Sequence, residues 1–399
     1  MLRRLMKSIW LCSAFAVLSA SAGTDEGYDN GYSDGRACDH GYCGGSWVYF
    51  GTRASGAGQG IVAARLDARG HLTPVGLASE IVRPTWLTAH PTLPVLYAAS
   101  DPGATVESTI YSLAVDRDTG ALSVKNSLPS GGIGATHVAV DEDLKSLFVA
   151  HFGSAQVSSL SILRDGRVGA VQSVQQQYGT GPHPRQAAPH AHGVAVDPTQ
   201  RFLVANDFGA DRLFVYRIDA DSGQLVPAST PYTSLPAGSG PRHSVFHPNG
   251  RFMFVVSELT ATLSSYRWDA WQGSLTNVQT LAMDDPAYVG TKSASQIQIS
   301  RDGRFVYAAN RGINSMQVYS VNAWTGMLTQ IQVIPCQGTT PWDFALDPTG
   351  RWLVVANNAS NSIAVFEVNR VTGKLEATTE TLTLSQPSNV TFVSTDNDH

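Results

Sequence analysis

Four side chains of this sequence supply a proton acceptor, a carboxylate and two guanidinium groups: His192, Glu258, Arg242 and Arg311. They stand in the short motifs PHAH at 189–192, SEL at 257–259, GPRH at 240–243 and NRG at 310–312. An imidazole takes a proton from water near neutral pH, and a carboxylate does the same or orients cations. Guanidinium forks bind a carboxylate, a phosphate or a developing oxyanion through paired hydrogen bonds. Brought together, these groups make an acid–base pair beside an anion clamp. His190, two residues before His192, adds an imidazole expected to touch substrate. A His190-x-His192 metal pair has no third ligand near it in sequence, so no metal and no other cofactor is expected.

These residues lie far apart in the chain, and a repeat must bring them together. The stretch RFVYAANRGINSMQVY at 304–319 has an apolar run, a turn rich in Gly, Asn and Ser, and a second apolar run. That is the pattern of a β-hairpin. It recurs as FLVANDFGADRLFVY at 202–216, FMFVVSELTATLSSY at 252–266 and WLVVANNASNSIAVF at 352–366, and more weakly at 47–53, 95–101 and 147–160. Seven copies about 50 residues apart predict an all-β fold, a seven-bladed β-propeller with four-stranded antiparallel blades. Each hairpin follows a first strand that ends at Asp-Pro or His-Pro in its clearest copies. It precedes an outer strand opened by Gly-x-Leu, as at Gly70, Gly120, Gly223, Gly273, Gly326 and Gly373. The copy at Trp47 lacks a first strand. QPSNVTFV at 386–393 has that strand's pattern with no hairpin after it, so it is expected to complete the Trp47 blade and close the ring.

Register then locates the site. In a propeller the first strands line a central channel, and the second strands run back beside them. The start of one and the end of the other therefore share a rim. The second position of the first strands reads Thr85, Thr136, His192, Arg242, Ser295, Trp342 and Ser388. The position after the second strands reads Arg53, Asp101, Phe152, Phe208, Glu258, Arg311 and Asn358. His192, Arg242, Glu258 and Arg311 thus fall on successive blades at one mouth. Charged groups gathered in register mark a site more often than scattered ones do. His90 and His247 occupy the position before Pro that is Asp elsewhere and read as turn formers, while His71 and His399 read as surface residues.

The 399 residues are 43% hydrophobic with a net charge of −5 and no basic block, which gives no reason to expect nucleic acid or an anionic membrane as partner. The N-terminus has Arg3, Arg4 and Lys7, an apolar stretch at 9–18, and Ala20-Ser21-Ala22, the three regions of a signal peptide in order. Ten apolar residues are too few to span a bilayer. The expected organisation is a signal peptide at 1–22, a flexible linker at 23–45, the propeller at 46–394 and a disordered tail at 395–399. The protein is then periplasmic or secreted, free of the membrane after cleavage, and a monomer. Cys38 and Cys43 are spaced for a small disulfide loop, with a Cys38, His40, Cys43 metal site as the weaker alternative; Cys336 reads as an apolar filler. GYSDG at 31–35 lacks the strand and helix of a serine-hydrolase elbow, and GAGQG at 56–60 reads as a hairpin tip.

The motifs PHAH, GPRHSVFHPNGRF, SEL, SRDGRFVYAANRG and DPTGRWLVVANN also resemble the seven-bladed propeller lactonases, which include propeller-type 6-phosphogluconolactonases and carboxymuconate-lactonizing enzymes. The likeness covers about residues 46–394. It implies a lactonase that hydrolyses or forms a small anionic or sugar lactone. A His, two Arg and a Glu form the proposed active-site set of the lactonizing branch. By motif they fall on His192, Arg242, Arg311 and Glu258, with His192 and Glu258 as the catalytic pair and the arginines on substrate. Two other readings compete: a non-catalytic exported propeller binding a protein or glycan on the same rim, and a metal-dependent lactonase. The export reading predicts that the native protein, sequenced from its N-terminus, starts at Gly23 or within a few residues of it. A cytosolic protein retaining Met1 would refute it.

Overall fold

The apolar run that opens every hairpin forms the second strand of a four-stranded sheet and is buried at every position in all seven sheets. These strands are Ser46–Thr52, Val95–Ser100, Ser146–His151, Phe202–Asp207, Phe252–Ser257, Phe305–Asn310 and Trp352–Asn357, and we number blades 1 to 7 by them. In a computed structural model of the chain, which describes residues 45–54, 59–141, 143 and 145–394, each sheet packs against its neighbours around a ring. One apolar cluster joins Phe305 and Tyr307 of blade 6 to Phe344 and Leu353 of blade 7, and another joins Val354 of blade 7 to Val48 and Phe50 of blade 1. Both faces of a second strand are covered, so its sequence carries no polar alternation. The signal peptide, nearly all of the linker, Cys38, Cys43, Gly56 and the tail lie outside the described residues.

The ring closes where the sequence predicts. Pro387–Ser394 pairs antiparallel with Ser46–Thr52, with Trp47 opposite Val393 and Tyr49 opposite Thr391, and becomes the inner strand of blade 1. The other inner strands are Pro84–Ala89, Ala135–Val140, Ala191–Val196, Pro241–Phe246, Ala294–Ile299 and Pro341–Leu346. The turn formers behave as expected. His90 Nδ1 accepts the Thr92 and Leu93 N–H groups, and His247 Nδ1 accepts that of Asn249. Asp197 and Asp347 serve the equivalent turns. Cys336 is buried beside Gly338, whose carbonyl its thiol contacts.

The Gly-x-Leu opener has a packing reason. A Cβ at Gly273, Gly326 or Gly373 would strike the ring of Phe202, Phe252 or Phe305, the first residue of the preceding blade's second strand. Gly70 receives Trp352 and Gly120 receives Trp47 in the same way. Each glycine is therefore a seat for its neighbour's aromatic, and the Gly70–Trp352 seat joins the last blade to the first. In blades 3 and 4 the incoming residues are Val95 of blade 2 and Ser146 of blade 3, the first residues of two of the weaker copies.

Every inner strand carries the same irregularity. In blade 5, Pro241 stands opposite Ser257 and His243 opposite Val256, so Arg242 is an extra residue. The pairing skips Thr85, Thr136, His192, Trp342 and Ser388 likewise, and in blade 6 Ser295 and Gln296 face Ala309. Such a bulge re-aims side chains. In blades 5 and 7 it lets the second and third residues, Arg242 with His243 and Trp342 with Asp343, both serve the channel. Deleting residues 385–399 removes the inner strand of blade 1 and its buried Val390 and Val393, worth about 1.5–3 kcal/mol each. It also bares the edge of Ser46–Thr52. The melting temperature should fall by roughly 10 °C or more; an unchanged value in differential scanning calorimetry would contradict the closure.

Candidate active site

The bulge of blade 5 supplies Arg242, and the residues following the second strands of blades 5 and 6 supply Glu258 and Arg311. Each is held by its backbone. Glu258 N–H donates to Gly240 O at 2.7 Å, and Arg311 N–H donates to Ser293 O at 2.7 Å. Gly240 has φ +61°, and a Cβ there would meet Leu259 and Phe208, so only glycine fits. Glu258 Oε2 lies 2.8 Å from Arg311 Nη2 and 3.2 Å from Arg242 Nε. The Arg242 Nε–H is not aligned with that oxygen, so this contact is an ion pair without a hydrogen bond. Arg242 spends one Nη on Ser295 O at 2.6 Å, and Arg311 spends one on Ala294 O at 3.2 Å. All three side chains are nearly inaccessible, at 4% for Arg242, 5% for Glu258 and 9% for Arg311, so their charges act in a medium far less screening than water.

A third guanidinium joins them. Arg185 Nη1 lies 2.6 Å from Glu258 Oε1, and its guanidinium carbon sits 4.6 Å from the centre of the Phe208 ring. It comes from a short 3₁₀ turn, Pro184–Gln186, in the connection between blades 3 and 4. Gln186 pins that turn by donating to Phe208 O and Asp211 Oδ1, both at 2.8 Å. Register counting along strands does not reach a loop residue. The only sequence signal is the Pro182-His-Pro-Arg run inside an unusually long connection.

His192 completes the set. Its ring meets Phe152 edge-on at 5.6 Å and His243 at 5.2 Å. Its Nδ1 is buried without a partner among the described residues. Burial, reinforced by the Arg242 charge, holds its pKa well below the usual histidine range, so the ring is neutral at neutral pH. His190 lies flat on Phe152 at 4.3 Å and donates from Nδ1 to Phe152 O at 2.8 Å. It helps build the wall that His192 leans on, and no hydrogen bond or ion pair joins it to Glu258 or the arginines. Trp342, the bulge residue of blade 7, stands within 4.9 Å of the Arg311 guanidinium, 5.4 Å of Arg53 and 5.9 Å of Arg242.

The third residues of the inner strands make a floor beneath. Trp86, His137 and His243, from blades 2, 3 and 5, meet with ring centres 4.1–5.2 Å apart. Rings from opposite sides of the propeller touch only if they reach the axis, so the channel is blocked at this depth. Hydrogen bonds carry the floor around the rest of the ring. His243 Nδ1 donates to Gln296 Oε1 at 2.7 Å, and Gln296 Nε2 donates to Asp343 Oδ1. Asp343 Oδ2 also accepts from Asn389 Nδ2 and Val390 N–H, both at 2.8 Å. Burial pushes the Asp343 carboxyl up to about 7 against these bonds.

Electrostatics divides the roles. Burial works to raise the Glu258 carboxyl, but Arg311 and Arg242, with His192 and Arg185, outweigh it and hold it at about 2. A carboxylate with both oxygens engaged and so low a pKa is a poor proton acceptor and a good clamp. The neutral His192 is the better acceptor. Arg242 is lowered to about 9 by burial and by Arg311, and stays charged at neutral pH. Among the described residues no group of His, Cys, Asp or Glu is placed to hold a metal. Because the folded Glu258 pKa is depressed, its contribution to stability is complete above about 4.5 and is lost as pH falls toward about 2. Glu258→Gln should lower the melting temperature at pH 7 and flatten its fall across that acid window; an unaltered acid limb would refute the clamp.

The sequence model of one family, the 7-bladed beta-propeller lactonases, matches residues 47–392. A 6-phosphogluconolactonase of Bacillus subtilis is 30% identical over 302 residues, which are 75% of this chain and 85% of that protein. Among solved structures, a periplasmic gluconolactonase of Pseudomonas aeruginosa is similar with a TM-score of 0.83 at 28% identity, over 88% of this chain and all of that one. A Lactobacillus plantarum protein is similar with a TM-score of 0.81 at 30% identity, over the same shares. With its seven closed blades and the match across nearly all of them, the chain belongs to the seven-bladed β-propeller lactonase family and is a lactonase.

Proposed function

We propose that the protein is an exported lactonase that opens a small sugar or anionic lactone at the Glu258 mouth. The observation that carries this reading is a charge imbalance: one carboxylate, Glu258, stands among Arg185, Arg242 and Arg311. Two positive charges are left over beside a neutral imidazole with an unpartnered nitrogen. The surplus attracts an anion and stabilises an oxyanion. Arg311 and Arg242 hold the lactone carbonyl, which becomes an oxyanion as water adds. His192 takes the proton of that water and returns it to the ring oxygen as the C–O bond breaks, giving a hydroxy acid. The same groups run the reverse step if the ring closes instead. The signal-peptide pattern in the sequence at 1–22 supports a periplasmic or secreted site of action, as does the likeness to a periplasmic gluconolactonase.

The test is a lactone screen by pH-stat, with and without chelator. Arg311→Ala should raise KM for an acidic lactone several-fold, and Arg311→Lys should restore only part of the loss, because an ammonium lacks the fork. His192→Ala should lower kcat by about a hundred-fold. Since His192 is neutral well below the ordinary histidine pKa, kcat/KM should stay flat as pH falls through about 6.5 and drop only further into acid. Full activity in both alanine variants would overturn the reading, and abolition by chelator would replace it with metal chemistry.

A further inference from the structure

A cleft of about 520 Å³ opens beside this mouth, between the connection at 177–190 and the loop at 284–293. Its lining includes His183, Arg185, Leu259, Tyr288, Lys292 and Ser293. The cleft shares its walls with the residues around the site. Arg185 is the residue that bonds Glu258 at 2.6 Å, Leu259 follows Glu258 in the chain, and Ser293 O receives the Arg311 N–H. Both rims are braced. Gln186 pins one loop to blade 4, and Tyr288 donates its hydroxyl to Gly312 O at 2.8 Å, tying the other loop to the residue after Arg311.

The chemistry of the lining is one-sided. In a chain with a net charge of −5, no Asp or Glu lines this cleft. Asp284 of the same loop is turned to Asn310, and Asp285 caps the Ala287 N–H. Lys292 has no carboxylate within ion-pair distance among the described residues. His183 Nδ1 accepts the Arg185 N–H at 3.1 Å, which leaves Nε2 as its proton-bearing nitrogen and hence a donor. Leu259 supplies one apolar wall between the cleft and the arginine cluster.

We infer that this cleft is an anion-binding subsite for the acid group carried at the far end of the lactone whose ring the Arg242–Glu258–Arg311 cluster engages. This deepens the lactonase reading and rests on it. A phosphate ester and a carboxylate share the required chemistry, and a planar fork, an ammonium and an imidazole N–H suit either. Lys292 is the discriminating residue, because it is exposed, belongs to the cleft and touches none of the groups that act on the ring.

The experiment compares three lactones with the full-length mature protein: glucono-1,5-lactone, which is neutral at C6; 6-phosphoglucono-1,5-lactone; and glucaro-1,5-lactone, with a carboxylate there. Lys292→Gln should raise KM about five-fold for a C6-charged lactone and Lys292→Glu more than about ten-fold, the scale of one charge-assisted contact. The kcat values, and both constants for the neutral lactone, should not move. The KM response of the two charged lactones tells a phosphate subsite from a carboxylate one. Equal shifts for neutral and charged lactones, or no shift at all, overturn the subsite while leaving the ring chemistry standing. If none of the three is hydrolysed, calorimetric titration of gluconate, 6-phosphogluconate and glucarate decides. Weaker binding of the charged C6 acids alone in Lys292→Glu supports the subsite, and indifference to Lys292 overturns it.

Discussion

Glu258 holds three guanidinium groups from three separate stretches of chain with one carboxylate. Buried arginines are costly to desolvate, and two of them side by side repel. The backbone already sets the bulge of blade 5, the strand end of blade 6 and the turn before blade 4 side by side, and without the carboxylate nothing there would offset the repulsion of their guanidiniums. With it, each oxygen has a partner and the surplus charge stays in place. The neighbouring groups follow from that field. His192 is kept neutral by burial and the Arg242 charge, and Trp342 offers its ring to the Arg242 and Arg311 guanidiniums.

Most of the fold was legible because a propeller repeats its grammar. The covered second strands, the turn-forming Asp or His before Pro, and the Gly-x-Leu openers each have one physical cause that recurs from blade to blade. Ring closure was legible from a strand left over at one end and a blade one strand short at the other. The closing strand runs one residue later than the sequence suggested, at Pro387–Ser394. Counting in register placed Arg242, Glu258 and Arg311 within ion-pair reach of one another, with His192 beside the bulge of Arg242 on the neighbouring blade, because backbone pairing fixes where those positions lie. It did not foresee the shared bulge, since an extra residue in one strand leaves no mark when every copy has it.

Three features escaped the sequence for identifiable reasons. Arg185 belongs to a connection outside the repeat, so no register applies to it. The sequence sets Glu258 between two arginines, but not the third cation on its other oxygen or the field that holds its carboxyl at about 2. His243, Gln296, Asp343 and Asn389 stand one residue past the row that counting examined. In a regular strand that step would turn a side chain away, and the bulge is what brings it back.

The meeting of Trp86, His137 and His243 on the axis turns the channel into a blind well. Whatever enters at the Glu258 mouth leaves by the same door. Opening a lactone creates a carboxylate, so the molecule that departs is more negative than the one that arrived. It departs from a place whose surplus charge grips anions. If the lactone binds there as proposed, the field that gathers substrate also holds the product, and release of the acid, eased by dissolved ions that screen the arginines, becomes a step that can limit turnover.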